Sequence, residues 1–253
     1  MIRTEHLTKR YGSLTAVNDL NLDIVQGEFF AFLGPNAAGK TTTIKLLTGL
    51  LKPTVGRAMI CGFDIQQNPV EARKLISYIP DLPFLYDKLE PMEFMLFVGQ
   101  LYGMERPAVL RAADELFHVF DLNSSRTQLI EDLSNGTRQR VVIASALLHN
   151  PRVIIIDEPM VGLDPRSARV VKDVLKARSR AGTTVFLSTH ILHIAEELAD
   201  RVGILNHGKL IAVGSIDELR KASGQGGPLE DAFLTLTREA QQAAAMVESS
   251  WTL

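Results

Sequence analysis

Gly34-Pro35-Asn36-Ala37-Ala38-Gly39-Lys40-Thr41-Thr42 fits the spacing G-x-x-x-x-G-K-[ST] of a phosphate-binding loop. The run Glu28-Phe29-Phe30-Ala31-Phe32-Leu33 before it reads as a buried strand, and Thr41 to Leu47 after it reads as a helix. Strand, glycine loop and helix form the context this spacing requires. Glycines let the backbone curl until its N–H groups face a bound anion. The helix that follows offers the same anion its positive dipole end. Lys40 adds a mobile charge for the outer phosphates, and the Thr41 hydroxyl suits Mg²⁺.

A second segment answers the first. Val153-Ile154-Ile155-Ile156-Asp157-Glu158-Pro159 reads as a buried strand ending in two carboxylates. In open parallel sheets, ligands lie at the carboxyl ends of strands. Asp157 is then placed to hold Mg²⁺ through water as the acidic partner of Thr41. Glu158, one residue on and facing elsewhere, is placed to orient and deprotonate an attacking water.

The 253 residues suffice for a substantial core in one large domain or two small ones. A hydrophobic share of 46% with 22% charged residues is an ordinary globular balance, which argues against disorder. With a formal net charge of −2 and no long Lys/Arg run, sequence-blind nucleic-acid binding has no electrostatic footprint. Cys61 is the sole cysteine, so no disulfide framework exists and a reducing compartment fits; it reads as a small buried hydrophobe. Charge near Met1 argues against a signal peptide, and no apolar run reaches the ~18 residues a span needs. The expectation is a soluble chain; work at a membrane would require another chain to supply the spans.

Ile2 to Ile24, broken at Tyr11-Gly12-Ser13 and Asn18-Asp19, suggests a small antiparallel sheet, with Val17, Leu20, Leu22 and Ile24 on its buried face. Arg57 to Cys61 and Ile76 to Ile79 read as strands, and Pro69 to Lys74 as a short helix. After the prolines at 80, 83 and 91 the pattern turns helical, over Glu93 to Tyr102 and Ala108 to Phe120, with Phe94, Phe97, Phe117 and Phe120 read as core. Helices are expected at Arg138 to Leu148 and Pro165 to Ala181, strands at Val153 to Ile156 and Thr183 to Leu187. A hairpin is expected from Val202 to Val213 around Asn206-His207-Gly208-Lys209. Strands alternating with helices imply an α/β fold with a mostly parallel sheet. A Gly-rich break at 224–227 precedes an amphipathic helix near Leu229 to Leu236.

The order of motifs resembles the ATP-binding subunit of ABC transporters. Leu133-Ser134-Asn135-Gly136-Thr137-Arg138-Gln139-Arg140 is similar to that family's signature, usually Leu-Ser-Gly-Gly-Gln before a basic helix start. Gly162-Leu163-Asp164-Pro165 matches the loop after the acidic strand, Ser188-Thr189-His190 the switch histidine, and Tyr11 the aromatic that stacks on adenine. The resemblance covers roughly Ile2 to Val213. It implies a P-loop NTPase (RecA-like) core with an N-terminal antiparallel β subdomain and a helical insert: an ATPase domain over 1–223, the insert at about 82–135, and a short helical tail over 224–253. It also implies ATP and Mg²⁺ sandwiched between two subunits, here a homodimer, arranged head to tail. Ser134 and Gly136 of one chain would reach the γ-phosphate held by the other. His190 would hold Glu158 and the water, and Asp164 would tie the two sites across the interface. A separate integral membrane permease would carry the substrate, with this chain peripheral on its cytoplasmic face.

Three departures from the family pattern bear on this. Ala37 stands where glycine is usual; alanine costs about 1–2 kcal/mol if that position needs positive φ, and little otherwise. The loop is expected to bind ATP in either case. Asn135 and Thr137 replace Gly and Gln in the signature, while Ser134 and Gly136 are retained. Asp81 replaces the usual Gln near the metal, as in a branch of ABC-2-type exporters, and is expected to keep a linker role with weaker metal contact. A soluble ABC ATPase of ribosomes or DNA would usually carry tandem cassettes or long coiled coils, which this chain lacks. A low-turnover regulatory subunit would commonly lack Glu158. The expected function is export driven by ATP hydrolysis.

Overall fold

The computed structural model describes residues 1–82, 84–160, 162–222 and 228–238. Its centre is β3 (Phe29–Leu33), preceded by β1 (Ile2–Tyr11) and β2 (Leu14–Ile24) and followed by α1 (Lys40–Leu47). Every residue of β3 is buried, as a strand covered on both faces must be. The chain continues through β4 (Val55–Ile60), β5 (Phe63–Asp64), α2 (Pro69–Lys74) and β6 (Ile76–Ile79). Then come α3 (Pro91–Leu101), α4 (Arg106–Val119), α5 (Asn135–Leu147), β7 (Val153–Asp157) and α6 (Pro165–Arg180). It closes with β8 (Thr184–Thr189), α7 (Leu192–Leu198), β9 (Arg201–Asn206), β10 (Lys209–Gly214) and α8 (Ile216–Ala222). Residues 229–238 are helical.

Two sheets result. A six-stranded sheet has the order β10-β9-β3-β8-β7-β6, parallel except where β10 returns against β9. A four-stranded antiparallel sheet has the order β2-β1-β4-β5. Phe30 stacks on Phe186 at 5.8 Å and Phe32 packs tilted against it at 5.2 Å, within a core that joins the two sheets and α1. On the opposite face Ile154, Ile156 and Leu187 share a core with α5, α6 and the helices inserted between β6 and β7. A third cluster packs Leu219, Leu229 and Phe233 on Ala31, Leu33 and Ile204, so the helix at 229–238 lies on the core. The break at 224–227 and everything after residue 238 fall outside the described residues. Among the described residues, no helix is long and apolar enough to cross a membrane.

The anticipated β subdomain, helical insert and hairpin are present, with instructive differences. Val17 and Leu20 are three apart yet both fully buried. Asp19, at φ 53, sits in an irregular stretch of the β1–β2 pairing and corrects the phase there. The hairpin turn uses His207 at φ 46 and Gly208 at φ 76, the two positive φ values that match the strand twist. α5 starts at Asn135 rather than Arg138, because Ser134 caps it by accepting the Thr137 N–H. Phe94, Phe117 and Phe120 are core as expected, but Phe97 remains 37% exposed. Cys61 lies just past β4, half-buried at φ 52, and burial pushes its thiol pKa up. α7 was not anticipated from the sequence.

His149 follows α5 and stacks flat on Tyr102, with ring centroids 3.5 Å apart. Burial pulls its pKa from the ordinary 6.5 down to about 4. Between these values the unfolded chain binds a proton that the folded chain refuses, so stability falls as pH drops through the window. His149→Phe keeps a flat ring but cannot take up the proton. Urea titrations from pH 6.5 to 4 should show a shallower loss of stability for the variant; an unchanged slope would contradict the assignment.

Candidate active site

The phosphate loop joins the end of β3 to α1, and its glycines are demanded by crowding. A Cβ at Gly34 would lie 2.5 Å from the Leu205 carbonyl oxygen, and one at Gly39 would lie 2.3 Å from that of Ala16. Gly39 also has φ 109, which side chains rarely adopt. The hairpin turn braces the loop from the side: Gly208 N–H donates to the Ala38 carbonyl at 2.8 Å, and the Gly208 carbonyl accepts from Asn18 N–H at 2.8 Å.

Ala37 adopts φ 63, so of the two alternatives left open by the sequence the strained one holds. Glu158 is also left-handed, at φ 48. Strain of this kind persists only where the surroundings over-determine the backbone.

A cleft of about 550 Å³ opens over the loop. Tyr11, Pro35 to Thr42, Asp81, Asp157 and Glu158 line it, with Ala16 and Gly208 completing the wall. Tyr11 is 46% exposed at the rim, and Lys9 Nζ lies 5.2 Å from its ring centroid. Lys40 is buried, and its Nζ donates to the carbonyls of Gly34 at 2.7 Å and Pro35 at 3.2 Å. Burial pulls its pKa down, opposed by the charges of Glu158 and Asp157. Thr41 Oγ1 donates to Asp157 Oδ2 at 2.9 Å. Burial pushes the Asp157 carboxyl up, and the nearby Ser188 and Thr41 hydroxyls pull it back. Among the described residues no three His, Cys, Asp or Glu side chains converge on a metal position. The Thr41–Asp157 pair offers hard oxygen donors from two groups. That set suits a small cation which keeps its waters and takes further ligands from a phosphate.

Glu158 is held from β8. Its Oε2 accepts the Thr189 hydroxyl at 2.9 Å, and its Oε1 accepts the His190 backbone N–H at 2.9 Å. His190 Nδ1 lies 2.7 Å from the same Oε1. A carboxylate only accepts, so Nδ1 carries the hydrogen and Nε2 is the free ring nitrogen. Oε2 keeps an unused lone pair. Thr189 was read only as part of the switch motif. Its grip on Glu158 has no local signature, because Glu158 and Thr189 are brought together by the β7–β8 pairing, which runs from Val153↔Thr184 to Asp157↔Ser188.

The remaining anticipated residues stand apart. Ser134 is exposed at the start of α5, and neither it nor Gly136 lines the cleft. The nearest neighbour a Gly136 Cβ would meet is the Gly162 carbonyl at 3.9 Å. Asp164 caps α6, accepting from Arg166 N–H, Ser167 N–H and the Ser167 hydroxyl, which hold its carboxyl below the usual range. Asp81 accepts from its own neighbour's Leu82 N–H at 2.8 Å while facing the cleft.

The family profile described as ABC transporter matches residues 17–161, more than half of the sequence. The chain belongs to the ABC transporter family. It is 38% identical over 223 residues to the daunorubicin/doxorubicin resistance ATP-binding protein DrrA of Streptomyces peucetius, covering 88% of this chain and 68% of that protein. It is 38% identical over 222 residues to the bacitracin transport ATP-binding protein BcrA of Bacillus licheniformis, covering 87% and 72%. Among solved structures, an ATP-binding subunit of an ABC transporter aligns with a TM-score of 0.89 and 32% identity over 94% of this chain and 99% of that one. A dimeric ATP-binding cassette in a post-hydrolysis state, bound to ADP and Pi, aligns with a TM-score of 0.77 and 27% identity over 85% and 98%. This ABC chain is thus an ATP-binding ATPase with the P-loop core expected of it.

Restoring glycine at position 37 removes the left-handed penalty but returns freedom to the unfolded chain. Ala37→Gly should therefore stabilise by roughly 0.5–1 kcal/mol. Chemical denaturation checks this; a destabilised variant would show that Ala37 is not strained.

Proposed function

We propose that this ATPase powers export through a separate membrane permease, as a homodimer that closes around two ATP molecules and reopens after hydrolysis. The observation that carries the reading is the division of the site. Lys40, Thr41, Asp157 and Glu158 share one cleft, while Ser134 and Gly136 lie outside it, on a helix start that a second copy could present. The solved dimeric cassette with ADP and Pi and the transport and resistance names of the relatives support it.

In this mechanism Tyr11 stacks on adenine and the backbone N–H groups of the loop from Asn36 to Thr42 wrap the phosphates. Lys40 moves from its own loop carbonyls onto the outer phosphates. Thr41 and Asp157 would hold Mg²⁺, which when bound neutralises phosphate charge. Glu158 Oε2 takes the proton from a water whose oxygen forms the new bond to the γ-phosphorus, while the bond from that phosphorus to the ADP oxygen breaks. His190 donates Nδ1–H to Glu158, and its Nε2 reaches a γ-phosphate oxygen as a donor when the ring carries a hydrogen on both nitrogens. Ser134 and Gly136 of the partner copy close the site at a helix N-terminus, and Asp164 ties the two sites.

The permease would seat beside Asp81. Leu82 and Phe84 are 76% and 78% exposed, and Phe84 packs edge-on to Tyr86, which does the same to Phe97. Such an apolar surface marks an interaction site. A cytoplasmic loop of a membrane chain is the occupant this family membership supports. Asp81 sits between this patch and the cleft; burial is the main cause that raises the Asp157 and Tyr78 pKa values, and the Asp81 charge adds to it. Asp81 would act as the link between docking and the metal.

Glu158→Gln keeps the shape but removes the base. ATPase should drop at least ~100-fold, and light scattering at saturating ATP and Mg²⁺ should report a dimer; a monomer would count against the sandwich. Replacing Leu82 and Phe84 together by serine should abolish co-purification with the membrane chain while basal ATPase persists. Retained association would place the permease elsewhere.

A further inference from the structure

Thr137 departs from the family signature, and its hydroxyl is fully engaged. Ser134 Oγ and Thr137 Oγ1 are 2.9 Å apart, and Ser134 Oγ also accepts the Thr137 N–H at 3.2 Å. On the other side of Thr137, Arg140 Nη2 donates to Thr137 Oγ1 at 3.2 Å. Arg140 is itself anchored, with Nη1 donating to the carbonyls of Phe120 at 2.7 Å and Asp121 at 3.3 Å. Those carbonyls lie just beyond α4, where the negative end of the helix favours a cation.

The geometry points to Thr137 and Arg140 as positioning residues that orient the Ser134 hydroxyl as a donor toward the partner's nucleotide. A guanidinium can only donate, so its approach turns the Thr137 hydrogen away. The acceptor within reach on the far side is Ser134 Oγ. Arg140 to Thr137 to Ser134 is then a head-to-tail chain, in which each bond polarises the next. The reverse order would aim two donors at Thr137 Oγ1 and lose that reinforcement. With both incoming hydrogens from Thr137 accepted, the hydrogen of Ser134 itself is free to point outward. A phosphate oxygen only accepts, so this is the polarity a γ-phosphate requires. The inference rests on the proposal that Ser134 closes a partner's site, and it makes α4 of the helical insert the anchor of that contact.

The test uses the full chain carrying Glu158→Gln. Two quantities are read: the ATP concentration giving half-maximal dimer by light scattering, and ATP affinity at protein concentrations too dilute for dimers. Thr137→Val removes the hydroxyl but keeps the branch and the backbone N–H. It should raise the half-maximal ATP concentration about tenfold, the worth of roughly one hydrogen bond, without changing the dilute affinity. Thr137→Ser should restore the parent value. Parent-like behaviour of Thr137→Val, an equal defect in Thr137→Ser, or a matching loss of dilute affinity would each overturn the relay. Ser134→Ala separates the layers. If it weakens dimerisation while Thr137→Val does not, only the relay fails. If it has no effect, the trans reading fails and takes the relay with it.

Discussion

The carbonyl oxygens of Ala16 and Leu205 press so closely on the phosphate loop that only hydrogen fits at Gly34 and Gly39. These two contacts gather three remote segments. Ala16 comes from the antiparallel sheet, Leu205 from the strand beside β3, and the loop from the end of β3 itself. The buried aromatic layer of Phe30, Phe32 and Phe186 holds the sheets at that separation. The loop is therefore rigid because the fold leaves it no alternative, and a rigid loop can aim its N–H groups before a phosphate arrives. Ala37 bears part of the conformational cost of that aim.

Much of this was legible from local sequence. Gly34 to Thr42, the apolar run into Asp157 and Glu158, and the Asn206 to Lys209 turn each carry their geometry in adjacent residues. The alternation of strands and helices was enough to give a parallel sheet. What escaped was tertiary. The sign of φ at Ala37 depends on the crowding around the loop, and no neighbouring residue announces it. The hold of Thr189 on Glu158 depends on the register of β7 against β8. The start of α5 was placed late because the helical pattern was counted from Arg138, whereas Ser134 is the helix cap. Phe97 had the spacing of a core residue but faces the aromatic cluster at Tyr86.

The division of labour across the chain follows from where the strands end. β3 and β7, separated by β8, bring Lys40, Thr41, Asp157 and Glu158 into one cleft, and the end of β8 supplies Thr189 and His190, which orient Glu158. The helical insert has a different task. Through Arg138, which bonds Asp87 and the Ile130 carbonyl, and Arg140, which bonds the carbonyls past α4, it carries the signature on its own framework. Asp87 follows the exposed Leu82 and Phe84 in sequence. A partner docked on that surface would thus meet the segment that holds Arg138 of the signature helix and that follows Asp81 of the cleft.

The central claim is that each catalytic site needs two chains. Mixing two inactive variants tests it most directly. Lys40→Ala disables the phosphate loop but keeps a sound signature, and Ser134→Ala does the reverse. Heterodimers of the two contain one site in which both halves are intact. The account predicts that the mixture hydrolyses ATP faster than the sum of the separate variants, with the gain rising as dimers exchange. Activity that never exceeds that sum, although the two chains do associate, would contradict it.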